Sequence, residues 1–370
     1  MSLPQVIEAY GVRLRQFRAE DAADVVDGLA DPVSQRFVTG PPNPYTENDA
    51  RWWIEVGAPA AWAGGGAAYA IADPDTDRLL GTVALNNLAP ARQQAGVGYW
   101  VRPAARGRGV AAAGTRALSD QVLASGTARL ELLTHPENTP SQRVALAAGF
   151  RYEGLRRSAT VDRDGTRHDL LAWARLADDP PGPVPRLLPD LPGGVLTDRV
   201  VALRPLAADD AELMYRLHSR PEVVANQAPP VPPTREAVER RCRLAASGWL
   251  TGEIARLLIT DAASGEPAGS CGLSYTDVAA GEASVGYALL PEWRGRGYAT
   301  RAVRLLAGWA FGATGIARVT AGTVPDNVAS HRVLERVGFH SEGLQRGRLP
   351  GLAGARLDDL TFALLPGDLR

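Results

Sequence analysis

The sequence predicts an α/β fold built twice, with a mixed sheet flanked by helices in each half of the chain. Three observations predict it. In each half, apolar runs that alternate like strands come first and then interleave with helix-like runs. The order of these runs repeats at a nearly constant offset. A Gly-rich hexapeptide stands between a strand-like and a helix-like run in both halves. It reads Arg106-Gly107-Arg108-Gly109-Val110-Ala111 in the first and Arg294-Gly295-Arg296-Gly297-Tyr298-Ala299 in the second.

The repeat is visible along the whole chain. Leu14-Arg15 matches Leu203-Arg204, and Val97-Gly98-Tyr99 matches Val285-Gly286-Tyr287. Asn138 and Ser141 match Asn327 and Ser330, and Gly149-Phe150 matches Gly338-Phe339. A period of roughly 190 residues indicates duplicated domains, because solenoid repeats are several times shorter. In the first copy, 12–17 reads as a strand, and 21–29 and 47–56 as helices. Residues 68–72, 79–85 and 96–101 read as strands, 109–125 as a helix stopped by Gly126, and 128–133 as a strand. A helix over 140–148 ends at Gly149, and two strands follow through residue 174. The second copy repeats the order, with a strand at 283–290, a helix at 297–311, a strand at 317–323 and a helix at 329–337. The expected domains are 1–178 and 197–370. Residues 179–196, with six prolines from Pro180 to Pro192, read as a stiff linker.

Composition narrows the function. The 370 residues suffice for two full cores. Forty basic residues, all arginine, face 41 acidic ones, so neither a nucleic-acid partner nor a membrane partner is expected. The absence of lysine reads as genomic composition bias. Cys242 and Cys271 are too few for a disulfide framework or a cysteine zinc site, and no metal is expected. They read as small apolar residues. Residues 1–12 lack an apolar core flanked by basic residues, and no run of about 18 apolar residues occurs, so the expected compartment is the cytoplasm.

The hexapeptides carry chemistry. A helix N-terminus presents unpaired N–H groups and the positive end of the helix dipole, which suits a phosphate. Glycines let the backbone approach the anion, and the arginines add cationic charge. A phosphate-bearing cofactor is therefore expected, in one copy or in both.

Taken together, these residues resemble the GNAT superfamily of acyl-CoA N-acyltransferases, twice in tandem. Arg106, Gly109 and Ala111, and again Arg294, Gly297 and Ala299, fit the family's cofactor motif. The Gly-Tyr strand upstream and the Asn-x-x-Ser and Gly-Phe strings downstream complete the likeness. Within the superfamily the chain is most similar to the subgroup that acylates ribosomal-protein N-termini, with its antibiotic-modifying relatives. Asp326-Asn327-Val328-Ala329-Ser330, Glu335 to Phe339 and Pro291-Glu292-Trp293 carry that similarity.

The resemblance implies an acetyltransferase that moves an acetyl or other acyl group from acyl-CoA (acetyl-CoA, leaving coenzyme A) to an amine. The acceptor would be a small molecule or a peptide N-terminus. It implies a pyrophosphate at 106–111 and at 294–299 with Thr300. The pantetheine arm would run along Tyr99, Trp100 and Val101 in the first copy, and along Tyr287, Ala288, Leu289 and Leu290 in the second. A strand N–H would hold the oxyanion. Ser141 and Ser330 would return a proton to the leaving thiolate. Asn138 and Asn327 would make a polar contact near the cofactor, or simply cap helices. Many family members use a Tyr seven residues after the Asn; Ala145 and Leu334 stand there. The subgroup's usual Glu is replaced by Gly96 and Ser284, which leaves Glu282 as the expected base of the second copy. The first copy offers Gln94 and His135, and His331 is expected to be exposed. Trp52, Trp53, Trp62 and Tyr69 mark the acceptor side of the first copy. Trp249 with Arg240, Arg241, Arg243 and Glu253 marks that of the second. The second copy, with the fuller motif and a carboxylate, is the expected principal catalytic domain. Two alternatives stay open: a longer acyl chain or an acyl carrier protein as donor, and a coenzyme A sensor without turnover.

Overall fold

The computed structural model describes residues 3–370 and divides into two compact units, Met1–Pro185 and Arg186–Arg370. The first contains β1 (Ile7–Ala9), β2 (Val12–Arg15), α1 (Ala22–Leu29), α2 (Pro32–Phe37), α3 (Glu47–Trp52), α4 (Ala58–Ala63), β3 (Ala67–Ala72), β4 (Leu79–Ala89), β5 (Gln94–Val101), α5 (Val110–Ala124), β6 (Arg129–Thr134), α6 (Thr139–Ala147), β7 (Arg151–Val161) and β8 (Arg167–Leu176). The second contains β9 (Leu196–Thr197), β10 (Val201–Pro205), α7 (Ala211–His218), α8 (Pro221–Val224), α9 (Arg235–Arg243), α10 (Ala245–Leu250), β11 (Ile254–Asp261), β12 (Pro267–Asp277), β13 (Glu282–Leu289), α11 (Tyr298–Ala313), β14 (Arg318–Thr323), α12 (Val328–Val337), β15 (His340–Pro350) and β16 (Arg356–Leu364).

Each unit is one eight-stranded mixed sheet. The orders are β1-β2-β3-β4-β5-β6-β8-β7 and, in the second unit, β15-β16-β14-β13-β12-β11-β10-β9. In each sheet one neighbouring pair is parallel, β5 with β6 and β13 with β14. Every residue of β3, Ala-Ala-Tyr-Ala-Ile-Ala, is buried, as a strand covered on both faces must be. The first core centres on the fully buried Tyr69, Phe150 and Trp173. The second sets Trp249 edge-on against Trp309 with ring centroids 5.7 Å apart. Among the described residues no helix is long and apolar enough to cross a membrane.

Two local features differ from the expected elements. The helix expected over 47–56 is α3 followed by a wide π-type turn, Trp53–Gly57, which runs into α4. Pro59 lacks an N–H for the regular ladder, which accounts for the widening. Helix α2 had no counterpart in the sequence reading, although Asp31 caps it through the Ser34 N–H and Pro32 opens it. Parts of the proline-rich stretch are packed: Val184 N–H donates to Leu146 O at 2.9 Å. Leu188 and Leu191 are buried in the core of the second unit.

Candidate active site

The site begins where the two parallel strands part. Strand β13 pairs with β14 only over Glu282–Ser284 against Arg318–Thr320. Likewise β5 pairs with β6 only over Gln94–Gly96 against Arg129–Glu131. Beyond those residues, β13 and β5 keep only their antiparallel partners β12 and β4. Their outer main-chain groups then face a wedge, open to an amide-bearing arm.

The Gly-rich loop closes the wide end. Gly109 and Gly297 sit at the N-caps of α5 and α11 with φ of 78° and 81°, and neither helix start has a side-chain cap. Left-handed backbone favours glycine there. The first-turn N–H groups therefore lack a side-chain acceptor, and a Cβ built at either glycine meets nothing within 4 Å. Free donors and room at a helix N-terminus fit the pyrophosphate of an acyl-CoA.

The arginines divide their work differently from the expectation that both stand beside phosphate. Arg294 donates from Nε and Nη2 to Leu289 O at 3.2 and 3.1 Å. Arg106 donates to Val101 O at 3.3 Å and to Ser34 Oγ at 3.0 Å, and pairs with Asp31. The first arginine of each hexapeptide thus braces the loop against the end of its strand. The second, Arg108 or Arg296, is exposed, and Arg296 lies over the Trp293 ring at 5.3 Å. Tyr298 is buried and its hydroxyl donates to Asp261. Val110, Ala299 and Leu290 are buried, so only their main chain is available to a ligand. The Trp100 ring presses on Gly28 of α1 and lines a cavity on the helix side.

Across the wedge lies a contact that occurs in both units. Tyr287 on β13 and Ser330 on α12 share a hydroxyl–hydroxyl hydrogen bond of 2.6 Å. Tyr99 on β5 and Ser141 on α6 make the same bond at 2.6 Å. Each phenol oxygen also lies near the serine's own carbonyl, at 3.3 and 3.1 Å, an alternative acceptor for its one proton. Asn327 and Asn138 cap α12 and α6, accepting from the Ser330 and Ser141 N–H groups at 3.2 Å. The caps fix each serine in the first turn, and the serine in turn meets the phenol. Burial pushes the Tyr287 phenol up to about 12, partly opposed by the Ser330 bond. Tyr99 is pushed up by the same cause. Both phenols therefore stay protonated at neutral pH. Ala145 and Leu334, at the helix position where the family often has a tyrosine, are buried core residues. The phenol comes instead from the strand. The sequence does not show it, because the likeness points only to the main chain of Tyr99 and Tyr287, beside the pantetheine arm.

Glu282 is not brought to this cluster. It opens β13 at the closed end of the wedge, where Arg318 Nε donates to it at 2.9 Å and Arg318 also holds Glu342. Tyr287 lies five positions further along the strand, about 16 Å at strand rise. A different carboxyl stands past the point of divergence. Asp359 on β16 is 3% exposed. Its Oδ1 has no hydrogen-bond partner among the described residues, and a Cβ on Gly322 of β14 would come within 2.6 Å of that oxygen. Burial pushes this carboxyl up, opposed by Arg348. In the first sheet the matching strand position holds Leu170.

Of the histidines, His135 accepts the Glu137 N–H at Nδ1, 3.1 Å, and burial pulls it below its ordinary range. His331 is not exposed as expected. Its ring lies 5.6 Å from Phe362, and its Nε2 is buried without a partner among the described residues. Both cysteines are buried.

On the helix side each wedge opens into a cavity, and the two cavities differ. That of the first unit, about 420 Å³, is lined by Tyr45, Trp52, Trp53, Tyr99 and Trp100 among others. Of the four aromatics expected there, Trp52 and Trp53 line it, whereas Tyr69 is core and Trp62 packs on Tyr69 at 4.9 Å. That of the second unit, about 250 Å³, is lined by His218, Arg241, Arg256, Ser270, Ser274 and Tyr287 among others. Trp249 is buried in the core, and Arg240 and Arg243 are exposed.

The family described as "Acetyltransferase (GNAT) domain" matches residues 12–151 and again 201–340. The uncharacterized N-acetyltransferase p20 of Bacillus licheniformis is 30% identical over 171 residues, 46% of this chain and 94% of p20. Among solved structures, Mycobacterium smegmatis RimJ in complex with CoA-disulfide is 26% identical, covering 47% of this chain and 87% of its own, with a TM-score of 0.42. A GNAT-family acetyltransferase from Bacillus anthracis is 18% identical, covering 46% of this chain and 98% of its own, with a TM-score of 0.41. The two family matches cover most of the chain, and they coincide with the two sheets that carry the Gly-started helix and the Tyr–Ser contact: the chain belongs to the GNAT acetyltransferase family and carries its domain twice in tandem.

Proposed function

We propose that the chain is an N-acyltransferase that moves an acetyl group from acetyl-CoA to the amine of a small molecule or a peptide N-terminus, with the second copy as the principal catalytic domain. The observation that carries the transfer chemistry is the Tyr287–Ser330 bond across the wedge, set beside the uncapped start of α11. Both features recur in the first copy, and the second is preferred because Asp359 stands where the first sheet has Leu170. When bound, acetyl-CoA supplies an activated acyl thioester. The first turn of α11 and the loop 294–297 would hold its pyrophosphate, and the outer edge of Tyr287–Leu289 its pantetheine arm. Ser330 Oγ holds the proton that a leaving sulfur needs. Tyr287, kept protonated, would replace that proton through the 2.6 Å bond. Water entering as products leave would reprotonate the phenolate, whose raised pKa favours this.

The attacking amine must lose a proton, and Asp359 is the carboxyl suited to take it. Asp359 also meets a guanidinium, Arg348 Nε at 3.4 Å from Oδ2, but burial outweighs it and the carboxyl is raised. A raised carboxylate is a stronger base than Glu282, which Arg318 holds at 2.9 Å. Asp359→Asn is expected to lower kcat by about 10²–10³ and to remove the acidic limb of the pH profile. Glu282→Gln, which loosens the Arg318 pair, is expected to change kcat less than about threefold and to cost a little stability. Steady-state rates of both variants decide the point, and the opposite order would return the role to Glu282.

The proposal as a whole is tested by incubating the full chain with acetyl-CoA and a panel of amines and peptides. Free thiol and acylated amine should appear in equal amounts with at least one acceptor. A chain that binds the donor yet releases no thiol with any of them is a sensor, and the proposal fails.

A further inference from the structure

The second unit carries a charge arrangement that its own residues do not balance. Arg241 on α9 and Arg256 on β11 line the cavity of about 250 Å³ that ends at Tyr287. Among the described residues neither guanidinium has an ion pair or a side-chain hydrogen bond. Buried arginines of the first unit are paired, Arg15 with Asp21 and Arg102 with Asp24, and the half-buried Arg318 holds Glu282 and Glu342. Asp210, whose charge reaches Cys242 beside Arg241, is already held by both terminal nitrogens of Arg204, at 2.8 and 2.6 Å.

Two like charges in one partly buried cavity repel, and the repulsion grows as water is excluded. Burial and the Arg241 charge together push the Arg256 guanidinium below its ordinary range. The cavity lining contains no aspartate or glutamate. Its other polar groups are donors or neutral. Ser270, Ser274 and Tyr287 present hydroxyls. His218 is pulled down to about 4 by burial and by the same two arginines, so it is a neutral ring at physiological pH. The Gln227 amide donates to its Nδ1 at 3.4 Å, which leaves Nε2–H on the cavity side, 3.4 Å from Ser270 Oγ. An arrangement of two guanidiniums, hydroxyls and a ring N–H is complementary to an oxyanion, which arginine recognises better than any other side chain. The matching cavity of the first unit has no such cations: Asp49 is its one charged lining residue, amid three tryptophans and two tyrosines.

We infer that the cavity beside Tyr287 binds a substrate that carries an oxyanion, a phosphate or a carboxylate, held between Arg241 and Arg256. That the occupant is the acyl acceptor rests on the proposed function; the anion site itself does not.

The test is calorimetric titration of the full chain with inorganic phosphate and with succinate, in saturating coenzyme A so that the Gly-loop sites are filled. At least one anion is expected to saturate. Its affinity should fall by about tenfold or more in Arg256→Met and in Arg241→Met, because each removes half of the charge pairing. Arg240→Ala, on the exposed side of the same helix, should bind as the wild type does. Binding of phosphate alone identifies a phosphorylated occupant, and binding of succinate alone a carboxylate-bearing one. Failure of both anions to saturate overturns the inference, as does wild-type affinity in Met variants whose circular dichroism is native. The two ideas fail separately. Transfer to neutral amines without anion binding sinks the anion site and leaves the transferase standing. Anion binding lost in the Met variants, with no thiol release from any amine, does the reverse.

Discussion

Ser330→Ala in the full chain is expected to lower kcat for thiol release by about 10²-fold or more, with little change in donor affinity. The Ser330 hydroxyl is the group bonded to Tyr287 at 2.6 Å where β13 and α12 face each other across the wedge. Its loss removes the proton donor for the departing sulfur. The fold should not suffer, because Asn327 caps α12 through the Ser330 main-chain N–H, which alanine keeps. Tyr287→Phe should lower kcat as well, since the phenol supplies the proton that Ser330 passes on. If the two act as one relay, the double variant should be no slower than the slower single variant. Steady-state rates of the three proteins check this, with circular dichroism to confirm folding. A Ser330→Ala enzyme within about threefold of wild type would mean that the leaving thiolate needs no acid here.

The second large effect is expected at Gly297. Its φ of 81° lies in the left-handed region, and its missing side chain leaves open space ahead of the uncapped α11 start. Valine there is strained, and its methyl groups fill the volume that a phosphate needs against the main-chain N–H groups. Coenzyme A affinity is expected to drop by about tenfold or more, which is 1.4 kcal/mol or more. The measurement is calorimetry on Gly297→Val in a chain whose first-copy site is disabled by Gly109→Val. Unchanged affinity in that folded variant would place the phosphates elsewhere.

Much of this was legible in the sequence, for physical reasons. The Gly-rich hexapeptides announce a left-handed N-cap, because few other residues tolerate that backbone. Asn138 and Asn327 announce helix starts, and both cap one. The alternating apolar runs give the sheet, because strand side chains have a period of two. What was not legible depends on contacts between distant segments. Tyr287 and Ser330 are 43 residues apart, and their bond exists only because β13 leaves β14 after Ser284. Arg241 and Arg256 look like ordinary surface charges until α9 and β11 bring them to one cavity without a counter-ion. Glu282 stands out by its place along a strand, and nothing local shows that Arg318 claims it from the neighbouring strand. Asp359 lies far along the chain on a hairpin strand, and its burial follows from the sheet order β13-β14-β16. The π-type turn at Trp53–Gly57 was hidden because Pro59 lies just past the pattern that it disturbs.

The central claim is that acyl transfer takes place at the wedge of the second copy. Its most direct test is the rate of thiol release from acetyl-CoA, with one accepted amine, in Gly297→Val and in Gly109→Val. Turnover should fall by about tenfold or more in Gly297→Val, and by clearly less in Gly109→Val. The opposite order, with Gly109→Val the damaging change and Gly297→Val the mild one, would contradict the claim and put the chemistry in the first copy.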